Sequence, residues 1–307
     1  MRRISIALLA VLAAAIGCEK PPREWTVLET GVTDHLYSIC AVGSKRVWAV
    51  GGNGLIIHSS NGGKSWEVQR RSGNPREVLN SVFFADAKHG VVVGSNGLIL
   101  STSDGGRRWI EEPSGIRQGL LDVFVRGRMR CAVGGFGNIL VFEGGRWVKR
   151  ETPKGVHLWS VWFADERVGC AVGERGTIML TRDGGLSWKL APSPTNEPLF
   201  AVHFPTPKDG WAVGAEGTII HSSNGGIRWS AQPAPAAEHL RGVFFLDGMR
   251  GWAVGSGGTI LHTEDGGRSW SREESPVSKP LLDVFVDDGV AWIAGAEGTV
   301  LKKGVGR

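Results

Sequence analysis

Tyrosine occurs once in 307 residues, methionine and cysteine four times each, and neither sign of charge dominates, the formal balance being +5. Four cysteines in a chain of this length do not make a disulfide framework, and Cys131 and Cys170 read instead as buried thiols acting as small hydrophobes. Two of the positive charges, Arg2 and Arg3, are expected to leave with the N-terminal stretch, so the mature chain is only mildly basic and a nucleic-acid partner is not implied. Apart from Ile4 to Ile16 there is no long apolar run, and that one is too short to span a bilayer. Following Met1-Arg2-Arg3, it suits the core of a signal peptide. There is no His-Glu-x-x-His string, no cysteine pair at zinc spacing and no phosphate loop, so neither a cofactor nor a metal is expected.

What the chain has in excess is glycine, 46 residues, and tryptophan, 13 residues. Both follow from one repeated unit. Its second copy runs Leu79 to Phe84, Val91-Val92-Val93-Gly94, Ser95-Asn96-Gly97, Leu98-Ile99-Leu100, then Ser103-Asp104-Gly105-Gly106-Arg107-Arg108-Trp109. Short runs of Val, Ile, Leu and Phe bounded by Gly, Asn and Asp are strands of a meander, too brief for helices. The tryptophans Trp25, Trp66, Trp109, Trp147, Trp188, Trp229 and Trp270 recur about every forty residues, the period of propeller blades. The fold class is therefore all-β: a seven-bladed β-propeller of four-stranded antiparallel blades. The seventh blade lacks a fourth strand of its own, so the strand Glu24-Trp25-Thr26-Val27-Leu28 is expected to complete it and close the ring.

The segment Ala15-Ile16-Gly17-Cys18 resembles the lipobox of bacterial lipoproteins. The resulting division is a signal peptide over 1–17, an acylated Cys18 with a short tether over 18–23, and the propeller over 24–307; ordinary secretory cleavage nearby is the alternative. Export follows, with a lipid anchor on the periplasmic or cell-surface side of a membrane. The tether meets the strand of Trp25 at the end bearing the Asp-containing turns, so that face is expected nearest the membrane.

Those turns, of which Thr181-Arg182-Asp183-Gly184-Gly185-Leu186-Ser187-Trp188 is the cleanest, resemble the Asp-box of bacterial neuraminidase repeats. Asn61, Asp104, Asp183, Asn224 and Asp265 hold the acidic position, and a structural role in the turn is expected for all five. The string Trp211-Ala212-Val213-Gly214-Ala215-Glu216-Gly217-Thr218-Ile219-Ile220-His221 resembles the photosystem II stability and assembly factor family. That resemblance implies a seven-bladed propeller acting as an assembly chaperone for a membrane complex, hence a protein partner and no catalysis. The competing reading is a glycan-binding or sialidase-like propeller. It would need a Tyr nucleophile with an arginine triad, and Tyr37 is the one tyrosine.

Because blades repeat, positions that vary on one face are free to be specialised. Around the mouth these are Tyr37, Asn80, Trp159, Phe200 and Arg241, with Leu121 and Leu282 at the matching places of the remaining blades. Phe136, Arg175 and Glu216 belong to neighbouring turns, as do Asn53, Asn96 and Glu297. Aromatic and Arg side chains there suit a protein or peptide ligand. A second candidate is a basic stretch over blade three: Arg126, Arg128, Arg130, Arg146, Lys149, Arg150 and Lys154. Glu111-Glu112 and Glu273-Glu274 are expected as solvated outer-strand acids, His58, His221 and His262 as satisfied or surface residues, and the protein as a monomer.

Overall fold

The computed structural model describes residues 24–153 and 155–306. Cys18, the signal segment, the tether and Lys154 lie outside the described residues. Twenty-eight strands form seven four-stranded antiparallel sheets, six of them contiguous in sequence. The seventh takes three strands from the C-terminal end, Leu281–Asp287, Val290–Gly295 and Val300–Gly304, and its outer strand, Thr26–Leu28, from the N-terminal end. Thr26 faces Lys302 and Leu28 faces Val300, so the ring closes by backbone pairing as expected.

Hydrophobic cores form between blades rather than within them. Seven clusters occupy the seven blade interfaces, each made from the second and third strands of one blade and the inner, second and third strands of the next. The cluster joining blades seven and one, with Trp292 against Leu36 and Ile39, has the same make-up as the others. A closed ring leaves no open blade interface, and the outer strands that remain as sheet edges are short, two to five residues each. Second-strand tryptophans act as wedges: Trp211 lies between His221, 4.5 Å away in its own blade, and Phe245, 3.6 Å away in the next. His58 and His262 stack likewise on Trp48 and Trp252. Each second strand ends in glycine because the next carbonyl leaves no room for a side chain; a Cβ on Gly214 would overlap the carbonyl of Pro198.

The Asp-boxes are turn locks. In blade four the Thr181 hydroxyl accepts from Gly185 N–H at 2.8 Å, and Asp183 accepts from Ser187 N–H at 2.9 Å. Asn61, Asp104, Asn224 and Asp265 repeat the second bond, and Asp183 and Asp265 are held down to about 2, Asp265 chiefly by its bond from the Ser269 hydroxyl.

Blades three and seven lack the full box, and there the expectation for two of the paired acids is corrected. Glu112 is not solvated: it accepts from the indole N–H of Trp147, in the following blade, at 2.7 Å and pairs with Arg130. Glu273 does the same for Trp25 at 2.5 Å, with Lys303 at 2.8 Å. A tryptophan without a box carbonyl beside it must find another acceptor once buried, and the last acid of the preceding blade reaches it. Their neighbours Glu111 and Glu274 are exposed, as expected.

Candidate functional site at the propeller mouth

Every inner strand carries a β-bulge at its second residue. In blade four Leu158 pairs with Gly173 and Ser160 with Val172, leaving Trp159 outside the ladder. The same slip frees Tyr37, Asn80, Leu121, Phe200, Arg241 and Leu282. A bulge re-aims the side chain of its extra residue, so the seven variable residues read from the sequence are the ones released from pairing. Six are partly buried and Arg241 is exposed.

On blades four to six they form one continuous cluster. The Trp159 and Phe200 rings lie 5.0 Å apart, and the Arg241 guanidinium sits 4.3 Å above the Phe200 ring. Burial lowers the guanidinium pKa. No carboxylate among the described residues pairs with it. Four acids on the same face already hold cations: Asp34 with Arg71, Glu77 with Arg70, Glu238 with Arg272 and Glu297 with Lys279. Asn80 is committed to the backbone, donating to the carbonyl of Leu120 at 2.7 Å.

The turns between second and third strands stand on this face, as single 3₁₀ turns in blades one to six, with Asn53, Asn96, Phe136, Arg175, Glu216 and Glu297 in the left-handed region. Phe136 is 67% exposed there and packs on His157, 5.1 Å away. The backbone N–H of Glu216 donates to His239, and that of Glu297 to His35.

Below the bulges the channel narrows to a cavity of about 70 Å³. Its wall is a polar ring that the sequence reading missed. Ser38, Ser81, Asp122, Ser160 and Asp283 each accept a backbone N–H from the following blade, Asp122 from Val161 at 2.8 Å and Asp283 from Ile39 at 3.0 Å. Aligning the third residue of each inner strand would have exposed it, since five of the seven are polar. Burial raises the pKa of both acids and pushes Asp283 up to about 7, with the charge of Asp122 adding to the effect. A second layer, Phe83, Phe124, Trp162, His203, Phe244 and Phe285, stops the channel with tilted and edge-on rings. His203 is neutral within it, burial bringing its pKa down to about 3 while it accepts from Phe245 N–H.

The basic stretch is dispersed. Arg130 is bound to Glu112, Arg150 to Glu143, and Arg126 donates to the carbonyl of Ala164 at 2.6 Å. Arg128, Arg146 and Lys149 are exposed. Arg128 and Arg146 sit at hairpin ends on the Asp-box face, whereas Lys149 lies midway along the outer strand. Tyr37 touches His35, and the arginines on that side, Arg70 and Arg71, are the two already bound to Glu77 and Asp34. Among the described residues no three His, Cys, Asp or Glu side chains converge.

Comparison with known proteins adds to this geometry. Residues 190–283 match the family model described as photosynthesis system II assembly factor YCF48. A 67-residue segment, 21% of this chain, is 36% identical to the chloroplastic photosystem II stability/assembly factor HCF136 of Arabidopsis thaliana and spans 17% of that protein. Among solved structures, YCF48 bound to D1 peptide superposes with a TM-score of 0.77 at 19% identity, over 94% of this chain and 99% of that one. YCF48 from Cyanidioschyzon merolae gives 0.76 at 21% identity, over 91% and 98%. At such identities the structures establish the shared fold. By fold over nearly its whole length and by sequence over residues 190–283, the chain is a seven-bladed propeller similar to the photosystem II assembly factors.

Proposed function

We propose that this protein is a non-enzymatic scaffold that binds a protein segment at the propeller mouth, in the assembly or stabilisation of a membrane complex. The observation that carries it is the ring of bulged residues, which combines a stacked aromatic pair with an arginine lacking a carboxylate partner. The solved YCF48 bound to D1 peptide supports the reading, since a propeller of this fold holds a peptide of a protein partner. We further propose export and tethering through an acylated Cys18, on the strength of the N-terminal sequence.

Benzoylphenylalanine in place of Phe136, on the mouth face, should photocrosslink a membrane-complex subunit identifiable by mass spectrometry. The same probe at Lys189, on the exposed outer strand of blade four, should not. Equal crosslinking from both positions sinks the mouth as the binding surface.

A further inference from the structure

Arg241 is held in an unusual way for a surface cation. Its guanidinium lies over Phe200 at 4.3 Å, and Phe200 is braced by Trp159 at 5.0 Å and His239 at 6.1 Å. Stacking occupies the flat face of a guanidinium and leaves its in-plane N–H groups directed outward, the geometry that takes a carboxylate bidentately. Partial desolvation, visible in the lowered pKa, strengthens such a pair relative to one in open water. Four acids of this face, Asp34, Glu77, Glu238 and Glu297, are occupied by their own cations, and no carboxylate among the described residues is paired with the Arg241 edge.

We propose that the mouth recognises an extended peptide segment carrying an acidic side chain on Arg241 and, two residues away, an apolar side chain on Trp159. This rests on the mouth reading above and specifies its ligand. The spacing follows from the cluster. Ring-to-ring and ring-to-cation separations of 5.0 and 4.3 Å place the two anchors less than about 10 Å apart. Residues i and i+2 of an extended chain point the same way, about 7 Å apart. Adjacent residues point to opposite sides and cannot use both anchors. The channel beneath is too small to thread an extended peptide, at about 70 Å³ and stopped by the Phe83 to Phe285 layer. The segment therefore lies across the mouth instead of threading it.

The test uses residues 24–307, which include every strand of the described residues and all seven interface cores and so close the ring unaided. The probe is the blocked peptide acetyl-Gly-Gly-Glu-Ser-Leu-Gly-Gly-amide, titrated while the Arg241 Nε–H and Trp159 indole resonances are followed by NMR. Saturable shifts of both are expected, with affinity at least about tenfold weaker when Glu is replaced by Gln, the loss of a charge-assisted pair. Arg241→Gln should bring the Glu peptide down to the level of the Gln peptide, and Arg241→Lys should recover only part of the difference.

Equal binding of the two peptides overturns the proposal, as does an unaffected Arg241→Gln variant or the absence of any shift up to about 10 mM peptide. Binding seen only when the C-terminal amide is a free acid overturns the assignment to a side chain. The two readings fail separately: a crosslink from position 136 that persists in Arg241→Gln keeps the mouth and discards the carboxylate.

Discussion

The acid on the closing junction makes stability depend on pH in a direction opposite to ordinary acid denaturation. Asp283 is raised from 3.8 to about 7 because its carboxyl opens only on the narrow channel walled by the inner strands. Below pH 4 it is protonated both folded and unfolded. Between pH 4 and 7 the native state holds a proton that the unfolded chain has released, so stability falls as pH rises. A shift of roughly three units amounts to about 4 kcal/mol. Asp283→Asn carries no such titration. Its amide oxygen can still accept from Ile39 or Val284, but the second bond is lost, at about 1 kcal/mol. The variant should therefore be about 1 kcal/mol less stable than the parent at pH 4 and about 3 kcal/mol more stable at pH 8. Guanidinium unfolding of residues 24–307, followed by tryptophan fluorescence, measures the difference at each pH. Groups that do not interact with Asp283 cancel in it, including Asp183 and Asp265, whose lowered pKa values act the other way, their contribution being lost as pH falls toward 2. A swing under about 1 kcal/mol, or one of opposite sign, would refute the account of the channel.

Three further outcomes are expected. Glu273→Gln leaves one accepting oxygen for Trp25 but removes the charge that pairs with Lys303 across the ring closure, and Glu112→Gln does the same to Trp147 and Arg130 between blades two and three. Each should cost about 1–3 kcal/mol in urea melts, and a neutral Glu273→Gln would show that closure does not use this bolt. Cys40, Cys131 and Cys170 are buried, and burial drives Cys40 up to about 12 and the other two higher. Dithionitrobenzoate should thus find no reactive thiol in folded residues 24–307 and three after unfolding. Cys18→Ser should release the full-length protein from the membrane fraction of the expressing cell and abolish palmitate labelling; unchanged labelling would remove Cys18 as the anchor.

The blade count, strand order and closure were legible because each rests on a residue type that geometry demands seven times, such as the Gly at the end of every second strand. The mouth was legible as variation against that background. What stayed hidden depends on partners outside the repeat. Glu112 and Glu273 look like any outer-strand acid until the shortened box of blade three, or the missing one of blade seven, leaves a tryptophan N–H to satisfy. Asp122 and Asp283 sit one residue past the bulge, and the bulge turns them into the channel against the simple inside–outside alternation of a strand. The basic stretch is drawn apart in part: antiparallel pairing puts Arg126 and Arg128 at one hairpin end and Lys149 within the outer strand, opposite Leu140.

The position of the variable residues has an energetic reason. A residue within the ladder contributes two backbone bonds and, on alternate sides, a core contact at a blade interface, so its replacement is felt by two blades. A bulged residue makes no ladder pair, and in this ring it stands above the interface clusters, none of which includes Tyr37, Trp159, Phe200 or Arg241. Exchanging Trp159 for Asn80-like or Leu121-like chemistry therefore leaves the fold intact, and the seven blades themselves display that tolerance. What cannot be exchanged freely is the order around the ring. Stacking of Arg241 on Phe200 and of Phe200 on Trp159 requires three consecutive blades to carry these three residues, whereas packing stability would be met by any arrangement of them. A sequence that meets the stricter condition at positions where the fold imposes none is the physical ground for placing the binding surface there.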